Sequence, residues 1–206
     1  ALAVEGLVEA QYAYLERLPG GRLPDSAVLR VEAEAVHDGR SLLAYAERAV
    51  AALADHHAIT GSSFAGSWAL VPSYADLWVE PEGDAWRITA VRESSPAEAA
   101  GVVAGDQLVA VGDVATLAAV TAFWEDHGLE VTPERAGYAA RVLAAGRRDR
   151  ARDLTVRDVE GEERRLELSS LYALPRPARA PVTAVEADGT LVARLNHSPR
   201  APATLA

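Results

Sequence analysis

The sequence predicts an α+β fold, in which a helical N-terminal region precedes a β-rich region that contains two or three helices and ends in a hairpin. In residues 1–58, apolar side chains recur at helical spacing in three stretches separated by Gly and Pro breaks. From residue 68 onward, short apolar or alternating runs lie between turn signals, which is typical of β-strands. Half of the 206 residues are apolar and 24% are charged, which indicates a folded globular chain.

Three helices are expected in the N-terminal region. The first ends in a Pro-Gly-Gly break, and Asp25 and Ser26 offer side-chain caps for the second, which stops at an Asp-Gly pair. Ser41 is the expected cap of the third helix, which runs to about His56. Helices of this length joined by short breaks favour a small antiparallel bundle, and we assign a three-helix bundle to residues 1–58.

The rest of the chain reads as strands with two longer helices among them. One helix is expected at 114–126, and a second starts at Thr132-Pro133-Glu134, where the hydroxyl caps the helix and Pro suits its first position. Residues 175–181 are rich in Pro, Arg and Ala and are expected to form a linker. The predicted strands are 68–71, 76–80, 86–91, 107–111, 154–159, 164–168, 182–186 and 190–195.

Composition excludes several classes of function. The net charge of −10 argues against binding to a nucleic-acid backbone. The chain has no Cys, which excludes disulfides and thiolate chemistry, and all twenty basic residues are Arg, which excludes any Lys nucleophile or base. No run of eighteen apolar residues is present, so no membrane span is expected. We also expect no cofactor and no metal.

The most informative stretch is residues 94–112. Ser95-Pro96-Ala97 starts a helix of one or two turns, Gly101 ends it, and Gly105-Asp106 makes a tight turn into an apolar strand. The spacing of these residues resembles the core signature of a PDZ domain, "SPA…AG…GD.L..V.G". The resemblance implies that residues 59–174 form a PDZ-like β-sandwich with two or three helices.

A second resemblance covers residues 40–197. A helical region that ends in Leu53-Ala54-Asp55-His56-His57, a PDZ-like domain and the strand Val192-Ala193-Arg194-Leu195-Asn196 follow one another as in the N-terminal half of the carboxyl-terminal processing (tail-specific) serine peptidases. The resemblance implies that 175–206 is a linker and the truncated start of a protease domain, and that the protein is periplasmic or secreted. The family uses a Ser/Lys dyad, and since the chain has no Lys we expect no catalytic residue within it.

The PDZ resemblance also implies a peptide-binding groove. A PDZ domain adds the end of a peptide to an exposed edge strand beside a helix, which here correspond to residues 76–80 and 133–145. The preceding loop, 71–75, has no Gly, and Pro72 lacks an N–H, so Arg141 is the candidate partner of the peptide carboxylate. The candidate peptide-binding residues are Tyr74, Asp76, Leu77, Trp78, Val79, Tyr138, Arg141 and Val142.

The expected function is therefore recognition of protein or peptide C-termini for a tail-specific serine endopeptidase. The alternatives are a stand-alone PDZ scaffold or interaction module without protease activity, and a PDZ domain that only packs against its neighbour. A second copy of the chain, associating through the N-terminal helices, is a further candidate partner.

Three other features favour structural over functional interpretations. His56 and His57 are adjacent, and neighbours on a helix point about 100° apart, so a role at a helix C-terminus is favoured over metal binding. The basic cluster at 147–152 is expected to be a solvated turn, because Asp149 interrupts it. The four Trp residues are expected in the core.

Overall fold

The computed structural model describes residues 2–175 and 182–195, and its fold is α+β. The chain divides into two compact units, Ala1–Leu174 and Pro175–Ala206. The described part of the first unit contains six α-helices and a six-stranded sheet, and that of the second contains one hairpin. No helix in the described ranges is long and apolar enough to cross a membrane.

The N-terminal region has three helices, which are shorter than the sequence predicts. They are α1 (Leu2–Gln11), α2 (Ala27–Glu34) and α3 (Gly39–Ala51), with short 3-10 turns between α1 and α2. The helix expected to reach His56 ends at Ala51 instead. A small apolar cluster of its own, formed by Leu23, Tyr45, Ala49 and Leu53, holds this region together.

The caps of these helices are partly as predicted. Ser26 caps α2, accepting a hydrogen bond from the Leu29 backbone N–H at 3.1 Å. The cap of α3 is Asp38, whose carboxylate accepts from the Ser41 N–H at 2.7 Å, and Ser41 is the third helical residue of a capping box. The prediction of Ser41 as the cap was wrong because a hydroxyl three residues into a helix also makes cap-like hydrogen bonds.

The described strands of the first unit form one antiparallel sheet with the order β1-β2-β3-β5-β6, and β4 pairs with β3. The predicted strand at 68–71 is absent, and only an isolated bridge joins Trp68 to Arg147. The apolar residues of this segment pack into the core without forming a strand, and Ala69 and Val71 are buried there. The strands are β1 (Leu77–Glu82), β2 (Ala85–Val91), β3 (Gln107–Val111), β4 (Val114–Ala115), β5 (Arg152–Arg157) and β6 (Glu163–Leu168).

Three helices accompany the sheet: α4 (Pro96–Ala99), α5 (Thr116–Asp126) and α6 (Pro133–Ala145). Residues 94–112 fold locally as predicted, into the short helix α4, a turn and β3. Ser95 caps α4, and Gly101 and Gly105 both have positive φ. Thr132 caps α6 as predicted, accepting from the Arg135 N–H at 3.3 Å.

The main core lies between the sheet and the helices α5 and α6. Its fully buried side chains include Trp124 of α5, Ile88 of β2 and Leu154 of β5. On α6, six consecutive residues from Ala140 to Ala145 include five buried ones, so this helix is embedded along its C-terminal half. The core therefore fixes α6 in place beside the sheet.

A buried ion pair joins the sheet to the end of α6. The Arg152 guanidinium donates to the Asp76 carboxylate and to the backbone carbonyls of Ala144 and Ser169. Asp76 also accepts from the Ala97 N–H at 3.3 Å. Arg152 is 8% exposed and Asp76 is 1% exposed. Burial raises the pKa of Asp76, and Arg152 opposes this change.

The basic cluster at 147–152 is therefore not a solvated turn. Arg152 is buried in β5, Arg147 lies over the Trp68 ring at 3.7 Å, and Arg148 lies over the Tyr172 ring at 4.4 Å. Aromatic faces attract guanidinium groups, and this long-range pairing was not visible in the local sequence.

The second unit contains the predicted final hairpin. Its strands β7 (Val182–Ala187) and β8 (Thr190–Leu195) pair in antiparallel register, and Gly189 in the turn has positive φ. The predicted linker at 175–181 lies outside the described residues except for its first residue.

Replacing Asp76 with Ala will strongly destabilise the first unit. The Arg152 guanidinium would stay buried without its counter-charge, and breaking a buried pair in this way typically costs about 3–5 kcal/mol. The free energy of unfolding in urea measures the loss. The control is Asp113→Ala, which removes an exposed partner of Arg165 and should cost about 1 kcal/mol or less. Equal losses for the two variants would contradict the role given to Asp76.

Candidate functional site

One edge of the sheet is suited to pairing with another chain. Among the described residues β1 pairs only with β2, so its outer side has no strand partner. Pro81 lies in β1, which fits an edge position because Pro has no N–H to offer a neighbouring strand. The opposite edge, β6, carries four charged residues in six, a composition that discourages pairing.

Helix α6 lies along the outer side of β1 and runs antiparallel to it. Gly137 faces Pro81, where an added Cβ would lie 3.6 Å from the proline Cδ. Four residues later, the Arg141 guanidinium lies 4.6 Å from the centre of the Trp78 ring. The helix and strand thus touch at the Pro81 end, and side chains line the space between them from Trp78 onward. We call this space the β1–α6 groove.

His56 occupies the β1–α6 groove. Its ring stacks on Tyr138 of α6 at 4.5 Å with an interplanar angle of 19°, and it meets Trp78 of β1 edge-on at 5.8 Å. Its Nε2 accepts a hydrogen bond from Arg141 Nε at 2.9 Å, which requires the imidazole proton on Nδ1. Burial and the neighbouring Arg141 charge lower the pKa of His56 to about 4.

The prediction that His56 lies at the C-terminus of a helix was wrong. The residue lies five positions beyond the end of α3 and interacts with no helix terminus of its own. No local pattern could have shown its true position, because its partners are 22 to 85 residues away in the sequence. Among residues 2–175 and 182–195, no group of three His, Cys, Asp or Glu side chains forms a metal-binding arrangement.

Three of the predicted peptide-binding residues, Trp78, Tyr138 and Arg141, come together around His56. The side chains of Leu77, Val79 and Val142 are buried in the core that supports the groove.

The other two predicted residues, Tyr74 and Asp76, precede β1. The Asp76 carboxylate is turned inward to Arg152, so its side chain is not part of the groove surface. Tyr74 stacks on Tyr172 at 3.6 Å.

In the loop before β1, backbone N–H and carbonyl groups form hydrogen bonds within the loop and with Arg92. The N–H groups of Tyr74 and Ala75 bond to the carbonyls of Leu70 and Pro72. Arg92 donates to the carbonyls of Ala75 and Pro72 at 2.9 and 2.6 Å. Two N–H groups of the loop are therefore engaged within it and do not point to a bound anion, as the N–H groups of a backbone nest do.

Arg141 is the cation of the groove. No carboxylate within the described part of the chain lies in ion-pairing distance of it, and its hydrogen-bond partner is the neutral His56. Burial lowers the pKa of Arg141, and the charge of Glu80 opposes this change. A half-buried guanidinium that makes no direct ion pair is a suitable partner for a carboxylate, although Glu80 already supplies part of the counter-charge.

A cavity of about 110 Å³ adjoins the groove at the His56 side. It extends from α6 to α3 and the segment after it, and an apolar cavity of about 150 Å³ is large enough to hold benzene. The volume is thus of the size of one aliphatic side chain. Its lining includes Ala51, His56, Val71, Phe123, Tyr138 and Val142.

The four Trp residues have different environments. Trp86 and Trp124 are buried in the core, as predicted. Trp68 and Trp78 are half-buried, and each lies under a guanidinium group. Trp78 is thus a wall of the groove as well as a neighbour of the core.

Comparisons with known proteins give a similarity to solved structures and none to a family model or a curated protein. No protein-family model matches the chain. No curated protein matches it either. A solved structure of a photosystem II D1 C-terminal processing protease is similar at 16% sequence identity and a TM-score of 0.39, over 88% of this chain and 42% of that one. The chain thus spans less than half the length of that protease.

The His56 imidazole should titrate with a midpoint well below the 6.5 of an exposed histidine, followed by NMR of its ring signals, which His56→Ala identifies by removing them. Since the folded pKa lies below the unfolded value of about 6.5, the folded state binds fewer protons, and stability should fall as the pH drops from about 6.5 towards 4. Replacing Arg141 with Gln removes a neighbouring positive charge and should raise the midpoint. A midpoint near 6.5 in the unaltered chain would contradict burial of His56.

Proposed function

We propose that the β1–α6 groove binds the C-terminal residues of peptides and proteins. The observation that carries the proposal is that no described strand pairs with the outer side of β1, while α6 lines that side with Tyr138 and the cation Arg141. An extended peptide would pair with β1 through its backbone and place a side chain against α6, as in strand addition.

The expected affinity is modest. Each backbone hydrogen bond contributes about 0.5–1.5 kcal/mol, and burial of one aliphatic side chain in the adjoining cavity about 1.5–3 kcal/mol. Association itself costs several kcal/mol. The balance corresponds to dissociation constants roughly between micromolar and millimolar, which suits a module that captures many different chain ends.

The terminal carboxylate is proposed to bind Arg141. The N–H groups of Tyr74 and Ala75 in the loop before β1 bond within the loop, which favours a side chain as the partner of the carboxylate. Arg141 makes no ion pair with a described carboxylate, the charge of Glu80 acts on it from farther away, and its guanidinium is held against Trp78. A charge-assisted hydrogen bond to a carboxylate is stronger than the bond that Arg141 makes with a neutral imidazole.

We propose further that this recognition serves a tail-specific serine peptidase, with a periplasmic or secreted location. The support is the sequence resemblance of residues 94–112 and of the order of regions around them. In this proposal the groove captures the end of a substrate, and catalytic residues outside the described part of the chain cut it. The proposal separates binding from cleavage, so binding can be tested on this chain directly.

A peptide that ends in an aliphatic residue with a free carboxylate should bind the 206-residue chain, and its amidated form should bind about tenfold more weakly or worse. The reason is the loss of a charge-assisted bond to Arg141, worth about 1.5–3 kcal/mol. Fluorescence anisotropy of a labelled peptide measures both affinities.

The matched variants are on the same helix. Arg141→Met should weaken binding of the free-carboxylate peptide about tenfold and leave the amidated peptide nearly unchanged. Arg135→Met is the control, because Arg135 lies over Trp124 and donates to the Glu130 carbonyl, away from the groove. Equal binding of the two peptides would exclude recognition of a chain terminus.

A further inference from the structure

We propose that His56 is an internal ligand of the β1–α6 groove, which a peptide must displace in order to bind. The inference rests on the proposed function, since a competitor matters only where a peptide binds. His56 contacts both walls of the groove, Trp78 on the strand and Tyr138 on the helix, and takes the hydrogen bond of Arg141. Those are the groups that a peptide would need.

The displacement requires only a short segment to move. Leu53 is buried in the helical cluster and Ser67 is buried beside α3, but no residue between 54 and 66 is buried. Ile59 in this stretch is 56% exposed. The segment is held by surface hydrogen bonds, such as those of Tyr12 to Asp55 at 2.9 Å and of Arg147 to the Gly66 carbonyl at 3.2 Å, and by no buried side chain of its own. His56 can therefore leave the groove while the helices and the sheet keep their packing.

The hydrogen bond between His56 and Arg141 makes the occupied state sensitive to protons. A neutral imidazole accepts from the guanidinium, whereas a protonated imidazole has no acceptor and carries a like charge. The groups that face or neighbour the imidazole are Arg141 and Tyr138 from α6, Trp78 from β1, and Asp55 and His57 from its own segment. Glu80 of β1 acts on Arg141 from farther away.

Protonation should therefore expel His56 from the groove. In the groove the pKa of His56 is about 4, whereas an exposed histidine has a pKa of about 6.5. Between these values a proton binds the displaced state preferentially. The two pKa values imply that the ratio of displaced to occupied states increases about tenfold from pH 7.5 to pH 5.5.

The test compares affinities for one labelled peptide, with an aliphatic C-terminal residue and a free carboxylate, on the whole chain at pH 7.5 and 5.5. The unaltered chain should bind about fivefold more tightly at pH 5.5, because the displaced fraction then increases from about a tenth to about a half. His56→Ala should bind more tightly than the unaltered chain at pH 7.5, by about tenfold, and should gain little at pH 5.5. His57→Ala is the matched control, because this neighbour is exposed and points to Asp55, and it should behave like the unaltered chain.

Equal affinities of the unaltered chain and His56→Ala at pH 7.5, with no effect of pH, would overturn the internal-ligand proposal and leave peptide binding in place. If no variant binds the peptide at either pH, the proposed function fails instead. A second measurement then decides the displacement of His56 without any peptide. Acrylamide quenching of Trp78, taken as the difference from Trp78→Phe, should increase from pH 7.5 to 5.5 in the unaltered chain and stay constant in His56→Ala. Constant quenching in both would overturn displacement of His56.

Discussion

The buried ion pair between Asp76 and Arg152 is the interaction on which the groove depends. Asp76 immediately precedes β1, and Arg152 begins β5 and bonds to the last turn of α6 through the Ala144 carbonyl. One guanidinium thus ties the start of the edge strand to the end of the groove helix. Gly146 makes this approach feasible, since its φ is +76° and an added Cβ would lie 2.6 Å from Arg152 Cδ.

The pair contributes geometry more than net stability. Burial acts against the charged form of both partners, raising the pKa of Asp76 and lowering that of Arg152. An apolar pair of similar size would avoid that desolvation cost. It would not, however, satisfy the carbonyls of Ala144 and Ser169 or the Ala97 N–H, which the ion pair does. The charged pair therefore fixes the orientation of several backbone segments at once.

The sequence predicted those features that neighbouring residues determine. The caps Ser26 and Thr132 and the corner at 94–112 each follow from side chains within a few positions of one another. Predictions were wrong where distant partners decide the outcome. Arg152 looked like part of a solvated cluster, but its partner Asp76 is 76 residues away. His56 looked like the end of a helix, but it bonds to a residue 85 positions away.

The groove also combines parts that the fold fixes with one part that can move. Its ends are fixed, by Gly137 against Pro81 at one end and by Asp76 with Arg152 at the other. Because both ends are fixed, β1 and α6 keep their separation. The part of the groove that can change is the side chain of His56 between them. His56 is attached to the walls through the chain, and a tethered group competes at a high effective concentration even when each of its contacts is weak. In the proposed complex, a peptide overcomes that advantage by adding contacts that a single imidazole lacks, namely backbone bonds to β1 and a carboxylate for Arg141. Under the proposed function, the internal occupant sets a minimum for binding, because a ligand with one ring or one charge gains no advantage over His56 whereas an extended chain end does.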